Sequence, residues 1–479
     1  MDATSAHLDP DSTRAFVDDE FERTIVPALI EYVAIPAKSP HFDHDWAAHG
    51  EIERAIELAH AWCQAQQDLD DAAIEVVRLE GRTPVLLIEI PGRGAPAGDT
   101  VLLYGHLDKQ PEMVGWREGL GPWKPVIDGD RLYGRGGADD GYAVFASLTA
   151  VRAVRRAGCD HARCVVLIET CEESGSFDLP PYLAALDERI GTPSLVVCLD
   201  SGAGDYERLW STTSLRGILT GVLRVDVLDE GVHSGDAGGI VPDSFRVARQ
   251  VLSRLEDPDT GEVLPAELQA DVPSERLDQA RAVARALGAD MSGRFPLPEG
   301  AGPRAGEPLD HVLARTWRPA LAIVGAGGLP AVADAGNVLR PATELKLSLR
   351  LPPTVDAGQA AEVVRRTLES DPPPGARVRF TPEQAASGWE APPVAPWLET
   401  SMREASTTYF GEPSALTGEG WSIPFMGMLG ERYPEAQFLI TGVLGPGSNA
   451  HGPNEFLHLP MARGLTCCVA QVLVDHGRR

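Results

Sequence analysis

Five short segments of the chain place a histidine or a carboxylate at the end of an apolar run or in a glycine-rich loop. They read Val-Leu-Leu-Tyr-Gly-His106-Leu-Asp108, Gly-Arg-Gly-Gly-Ala-Asp139-Asp140-Gly, Val-Val-Leu-Ile-Glu-Thr-Cys-Glu172-Glu173-Ser-Gly, Leu-Val-Val-Cys-Leu-Asp200-Ser-Gly and Pro-Gly-Ser-Asn-Ala-His451-Gly-Pro-Asn-Glu. Two imidazoles and at least three carboxylates form a donor set suited to two zinc-like ions. The chemistry such a set predicts is hydrolysis assisted by metal ions.

Each residue also has an ordinary reading. His106 alone could be a hydrogen-bonded histidine at a strand end. Asp108, two residues on, changes this, because a ligating imidazole commonly donates its other N–H to a carboxylate. Asp139 and Asp140 could cap a helix, but capping does not require the preceding Gly134–Gly137 run, which predicts a close backbone approach. Glu172 and Glu173 alone would pass for a solvated acidic turn. As neighbours after a buried strand, they allow one to bind metal while the other moves protons. Asp200 alone is an ordinary strand-end aspartate. His451 lies in a Gly/Pro/Asn loop, the kind of segment that carries sites on rigid scaffolds.

The elements that must position these groups follow from periodicity. Helical spacing runs over Ser12–Val33, Glu51–Gln66 and Tyr142–Arg156, with a further helix near Pro181–Glu188. Short β-branched runs predict strands at Ile74–Arg78, Pro84–Ile90, Val101–Tyr104, Val165–Thr170 and Leu195–Leu199. Strands alternating with helices imply an α/β fold: a mainly parallel sheet with helices on both faces. In such a sheet, functional groups gather beyond the carboxyl ends of the strands, so all five segments can meet on one rim.

After about Leu215 the pattern changes. Gly217–Val227 and Glu344–Leu351 alternate like half-buried antiparallel strands. Around them lie a helix at Asp243–Leu255, a long Pro/Gly/acid-rich region over Asp257–Pro319, a helix at Ala357–Leu368 and a strand at Ala376–Phe380. Pro382–Pro396 reads as a return linker. The first style then resumes with helix Trp397–Tyr409, strand Gln437–Thr441 and helix Leu465–His476. We therefore expect a catalytic domain in two parts, 1–214 and 386–479, interrupted by a smaller α+β domain over 215–385.

The chain has 479 residues and a formal net charge of −28. That charge disfavours binding to nucleic acid or to an anionic membrane, and part of it would be offset by bound cations. Seven cysteines without a Cys-x-x-Cys pair give neither a disulfide framework nor a cysteine zinc site. Met1–Pro10 has no basic start or apolar core, so no signal peptide is expected. No run of ~20 apolar residues spans a bilayer. These features together predict a cytoplasmic location.

In order, spacing and wording the five segments resemble the co-catalytic zinc metallopeptidases that include carnosine-type dipeptidases, glutamate carboxypeptidases, acetylornithine deacetylases and succinyl-diaminopimelate desuccinylases. Tyr104-Gly-His-Leu-Asp108-Lys-Gln-Pro and the run from Gly115-Trp to Asp128-Gly-Asp-Arg-Leu-Tyr-Gly-Arg-Gly look closest to the dipeptidase branch. Gly231-Val-His233-Ser-Gly-Asp-Ala-Gly-Gly and Gly418-Glu-Gly-Trp-Ser422-Ile-Pro support it. The resemblance implies that His106, Asp139 and Asp200 hold one divalent ion and Asp139, Glu173 and His451 another, most simply zinc, with manganese or cobalt as alternatives. It further implies Glu172 as general base, Asp108 as the residue orienting His106, and a cis peptide between Asp139 and Asp140. By the same resemblance Asn337, Arg350 and Ser422 would stand at substrate-contacting positions. The inserted domain would be a lid that builds a homodimer, from which His233 reaches the partner's site.

The implied reaction is hydrolysis of the amide of a dipeptide or short peptide with a free C-terminal carboxylate. The rival enzyme is an N-acyl-amino-acid deacylase with the same metal core. A rival of another class is a catalytically silent binding homologue, which would have lost Glu172 or a ligand; neither is lost. One departure stands out: dipeptidase-like members usually continue Asp-Asp-Lys, whereas Gly141 follows Asp140 here.

Overall fold

The structure is a computed structural model that describes residues 7–479 except 97, 289–290, 292–294 and 296. Its centre is a six-stranded sheet. The strands lie in the order Ala73–Val77, Val85–Ile90, Arg163–Glu169, Thr100–His106, Leu195–Cys198 and Gln437–Ile440. The last four are mutually parallel, and only Val85–Ile90 runs against the rest. The mainly parallel sheet expected from the alternating pattern is therefore present.

Both faces of this sheet are buried, which explains its near-continuous apolar strands. Val101 and Leu103 point into one core, while Leu102 and Tyr104 point into the other. The larger core is covered by the helical stretch from Pro10 to Val33, by Glu51–Gln64 and Ala143–Arg156, and by Pro396–Phe410 and Leu459–Arg478. The smaller is covered by Leu179–Ala185 and Pro424–Arg432. The first helix begins as its sequence requires: Pro10 occupies the first turn, and Asp9 accepts the N–H of Ser12 at 2.9 Å.

A second, four-stranded antiparallel sheet has the order Ala320–Gly327, Ala342–Leu351, Gly217–Asp226 and Arg377–Ala386. Helices Ser244–Leu252 and Ala357–Glu369 bury one of its faces through Val247, Val251, Ala360 and Val364. The expected linker at Pro382–Pro396 starts inside the last of these strands. An edge strand tolerates a proline, and a register shift between Pro382 and Gln384 absorbs it.

The acid- and proline-rich stretch expected to belong to the insertion behaves differently. It contains helices Ser274–Leu287 and Pro308–Thr316, whose Ala280, Val283, Leu287, Val312 and Leu313 join the larger core beside the central sheet. These two helices therefore pack in the core beside the central sheet rather than on the antiparallel sheet. Among the described residues no helix is long and apolar enough to cross a membrane.

Candidate metal centre

The four parallel strands end on one rim, and each brings a ligand candidate. His106 is the last residue of Thr100–His106, and Glu172 and Glu173 follow Arg163–Glu169 in a short 3-10 turn. Asp200 lies two residues beyond Leu195–Cys198, and His451 is in the loop after Gln437–Ile440. Asp139 arrives from the glycine-rich loop that leads into helix Ala143–Arg156, and its bond to Asp140 is cis, as the resemblance implied. The close approach predicted for Gly134–Gly137 is also present. Gly136 has φ +83°, and a Cβ there would meet Lys109 Cε at 2.7 Å.

These groups converge as two triads that share one residue. His106, Asp139 and Asp200 form one, and Asp139, Glu173 and His451 the other, each with donor atoms within 4.8 Å of one another. Asp139 Oδ1 is 3.2 Å from His106 Nε2, and its Oδ2 is 3.1 Å from His451 Nε2. Asp200 Oδ2 is 3.8 Å from His106 Nε2, and Glu173 Oε2 is 3.3 Å from His451 Nε2. This donor set, two imidazoles and three carboxylates with one carboxylate between the triads, fits a pair of divalent cations.

The electrostatics point the same way. Burial, then the neighbouring charge of Asp139, pushes Glu173 up to about 8. Burial also raises Asp200 to about 6, although His106 opposes it. Burial opposes charging of His451, but the charge of Glu173 and the hydrogen bond to Asp139 overcome it and lift the imidazole to about 10. A cluster that must hold protons to be tolerated is one that cations would stabilise.

Asp108 does more than the sequence suggested. Its Oδ1 lies 3.5 Å from His106 Nδ1, while the Asp108 carbonyl is closer to that nitrogen at 3.1 Å. The same carboxylate accepts the backbone N–H of Glu172 at 3.1 Å and of Glu173 at 2.9 Å. One buried side chain thus joins the His106 strand to the acidic turn. Gln110, in the same run as His106 and Asp108, makes a contact that the spacing did not reveal. Its Nε2 donates to Glu173 Oε2 at 2.6 Å.

Asp139, Asp200, Glu173, His451 and Glu172 line a cavity of about 590 Å³, as do Ile218, Arg350 and Gln384 of the antiparallel sheet. Trp421 and Ser422 line it as well. Arg350 donates to Ser422 Oγ at 3.3 Å, and Ser422 Oγ donates to the Arg216 carbonyl at 2.6 Å. Arg350 has no carboxylate partner among the described residues. Asn337 and His233 are not in this cavity. They lie together on the exposed part of the inserted region, where His233 pairs with Val338 and the Asn337 carbonyl accepts the N–H of Ser234. His233 Nδ1 accepts the N–H of Gly235 at 3.1 Å.

A parallel sheet with paired triads at its rim, capped by an antiparallel sheet, defines a metallopeptidase-type chain. The chain belongs to peptidase family M20/M25/M40, whose sequence profile matches residues 102–474. It is 27% identical over 451 residues to a cysteinylglycine-S-conjugate dipeptidase of Corynebacterium striatum, covering 92% of this chain and 94% of that one. Among solved structures, the dipeptidase Dug1p of Saccharomyces cerevisiae superposes with a TM-score of 0.75 at 22% identity, covering 98% of this chain and 99% of that one. Human carnosine dipeptidase 1 superposes with a TM-score of 0.76 at 22% identity, over 99% and 100% of the two chains. These two likenesses are of fold.

Proposed function

We propose that this chain is a dinuclear metallohydrolase that cleaves the amide bond of dipeptides or short peptides with a free C-terminal carboxylate. The observation that carries the reading is Asp139, whose two oxygens face His106 and His451 at 3.2 and 3.1 Å. His106, Asp139 and Asp200 would hold one divalent ion, and Asp139, Glu173 and His451 the second, with zinc preferred over manganese or cobalt. When bound, the pair would supply Lewis-acid polarisation of the scissile carbonyl and a water acidic enough to lose a proton near neutral pH.

The remaining steps belong to the chain's own groups. Glu172 lines the cavity, and burial, reinforced by the charge of Asp200, holds its carboxyl well above the ordinary range. From its place in the cavity beside the triads it would take a proton from the attacking water and deliver it to the leaving amine. Asp108 keeps His106 and the Glu172–Glu173 turn in register. Arg350, unpaired and held at Ser422, suits a peptide carboxylate, which a guanidinium can grip through two parallel hydrogen bonds. The sequence relatives named as dipeptidases support this choice of substrate.

His233 and Asn337 then serve a partner's site rather than their own. Their exposed position outside the cavity supports this, as does edge strand Ala320–Gly327, which leaves Ile323 45% and Val324 61% exposed. We read residues 1–214 and 386–479 as catalytic and 215–385 as the insertion that forms a homodimer, with helices Ser274–Leu287 and Pro308–Thr316 packed back on the catalytic core. Seven buried cysteines suit a reducing cytoplasm. The net charge of −28 disfavours nucleic acid as a partner. The direct test assays purified, metal-loaded protein on dipeptides beside N-acetyl and N-succinyl amino acids. Dipeptides should be turned over fastest; a preference for N-acyl substrates would replace the reading with a deacylase.

A further inference from the structure

A buried ion pair beside the centre has no part in the steps above. Arg135 and Glu455 are 1% and 0% exposed. Arg135 Nη1 donates to Glu455 Oε2 at 2.5 Å, Nη2 to the Gly452 carbonyl at 2.8 Å and Nε to the Pro111 carbonyl at 3.3 Å. Glu455 Oε1 accepts the N–H of Gly136 at 2.9 Å, and its own carbonyl accepts the N–H of Gly134 at 3.0 Å. One guanidinium and one carboxylate thus tie together three loops. Two of those loops carry Asp139 and His451, and the third follows the strand that ends at His106.

His451 is the ligand candidate that most needs such a tie. Its side chain is 55% exposed, against 0% for His106 and 3% for Glu173, so packing holds it least. Its backbone has φ +62°, and Asn449 and Asn454 have φ +56° and +62°. Asn and His enter that left-handed region more readily than other residues with a Cβ, so the loop can turn sharply at these three positions. A buried ion pair adds little stability over apolar residues of the same volume, whereas its geometry is specific.

We propose that Arg135 and Glu455 are positioning residues that fix His451 against Asp139 and thereby set affinity for the ion held by Asp139, Glu173 and His451. The proposal rests on the two-ion reading. To test it, metal-free wild type, Arg135→Lys and Glu455→Gln are titrated with Zn²⁺ against a chromophoric chelator, and unfolding of each metal-free protein is followed by circular dichroism. The lysine keeps the charge without the fork, and the glutamine keeps the shape without the charge.

The expected result is an unchanged first ion and a second ion weakened about 10–100-fold, with turnover restored by excess zinc at unchanged KM. Wild-type affinity for both ions in both variants would overturn the proposal. So would loss of both ions together with the metal-free fold, because the pair would then be holding the core and not one ligand. Wild type that saturates at one ion would sink the two-ion reading itself, and that outcome is visible without the variants.

Discussion

The ring of Tyr32 occupies the space where a side chain on residue 141 would begin. A Cβ on Gly141 would lie 2.1 Å from Tyr32 Cε1 and 2.7 Å from the Gly136 carbonyl oxygen. Tyr32 is fixed in turn: its hydroxyl donates to the Leu107 carbonyl at 3.0 Å, and the Lys109 ammonium sits 3.9 Å from its ring centre. The departure from Asp-Asp-Lys therefore has a local steric cause, and it leaves both triads intact. Gly141→Ala should lower stability by about 1–3 kcal/mol through overpacking, read as a lower urea midpoint of the metal-free protein. An unchanged midpoint would show that Tyr32 can move aside freely.

The protonation of the metal-free protein sets a second expectation. Glu173 and Asp200 have pKa values raised to about 8 and about 6, and His451 is raised to about 10. A raised pKa contributes stability that is fully present below the unfolded value and is lost as pH rises through the folded one. These three groups should therefore make the metal-free protein progressively less stable from about pH 5 to about pH 10. Asp139, held low by its two histidines against the effect of burial, acts oppositely and only under acid conditions. Saturating zinc should remove most of the alkaline loss, since cations take the place of the protons. Thermal melts at pH 6 and pH 9, with and without zinc, check this. A metal-free melting temperature higher at pH 9 would contradict it.

The adjacent glutamates should separate in function. Glu172→Gln should retain both ions and lose ~10²–10⁴-fold in turnover, the usual range for a general base. Glu173→Gln should weaken metal binding as well. Metal analysis alongside single-turnover kinetics distinguishes them, and near-normal turnover of metal-loaded Glu172→Gln would remove it as the base.

Much of this centre was legible because strand-end positions follow from period and composition. The runs before His106, Glu172 and Asp200 are β-branched and buried on both faces, so their ends could be located from sequence. The second role of Asp108 was hidden, because accepting two backbone N–H groups of a turn 64 and 65 residues away leaves no mark on spacing. Helix Ser274–Leu287 was masked by its Arg-, Asp- and Glu-rich composition, with Arg276, Ala280, Val283 and Leu287 its buried positions. Strand Trp210–Leu215 is buried throughout yet built largely from Ser and Thr, whose hydroxyls give no apolar alternation. Strand Ala320–Gly327 is largely exposed and apolar, so it too lacks the alternation of a half-buried strand.

The shared-site reading predicts complementation. Inactive His233→Ala subunits mixed with inactive Glu172→Gln subunits should regain about half of wild-type activity per heterodimer, because one site would carry both defects and the other neither. Activity measured after demonstrated subunit exchange is the check. No recovery, or full activity from a strict monomer, would place His233 outside the reaction.

The central claim is that Asp139 is shared by two ions. Anomalous scattering from crystals grown with zinc, combined with elemental analysis of the same protein, tests it most directly. The account predicts two ions per chain about 3.5–4 Å apart, with one oxygen of Asp139 on each. A single ion at saturation, or two ions with Asp139 bound to only one of them, would contradict it.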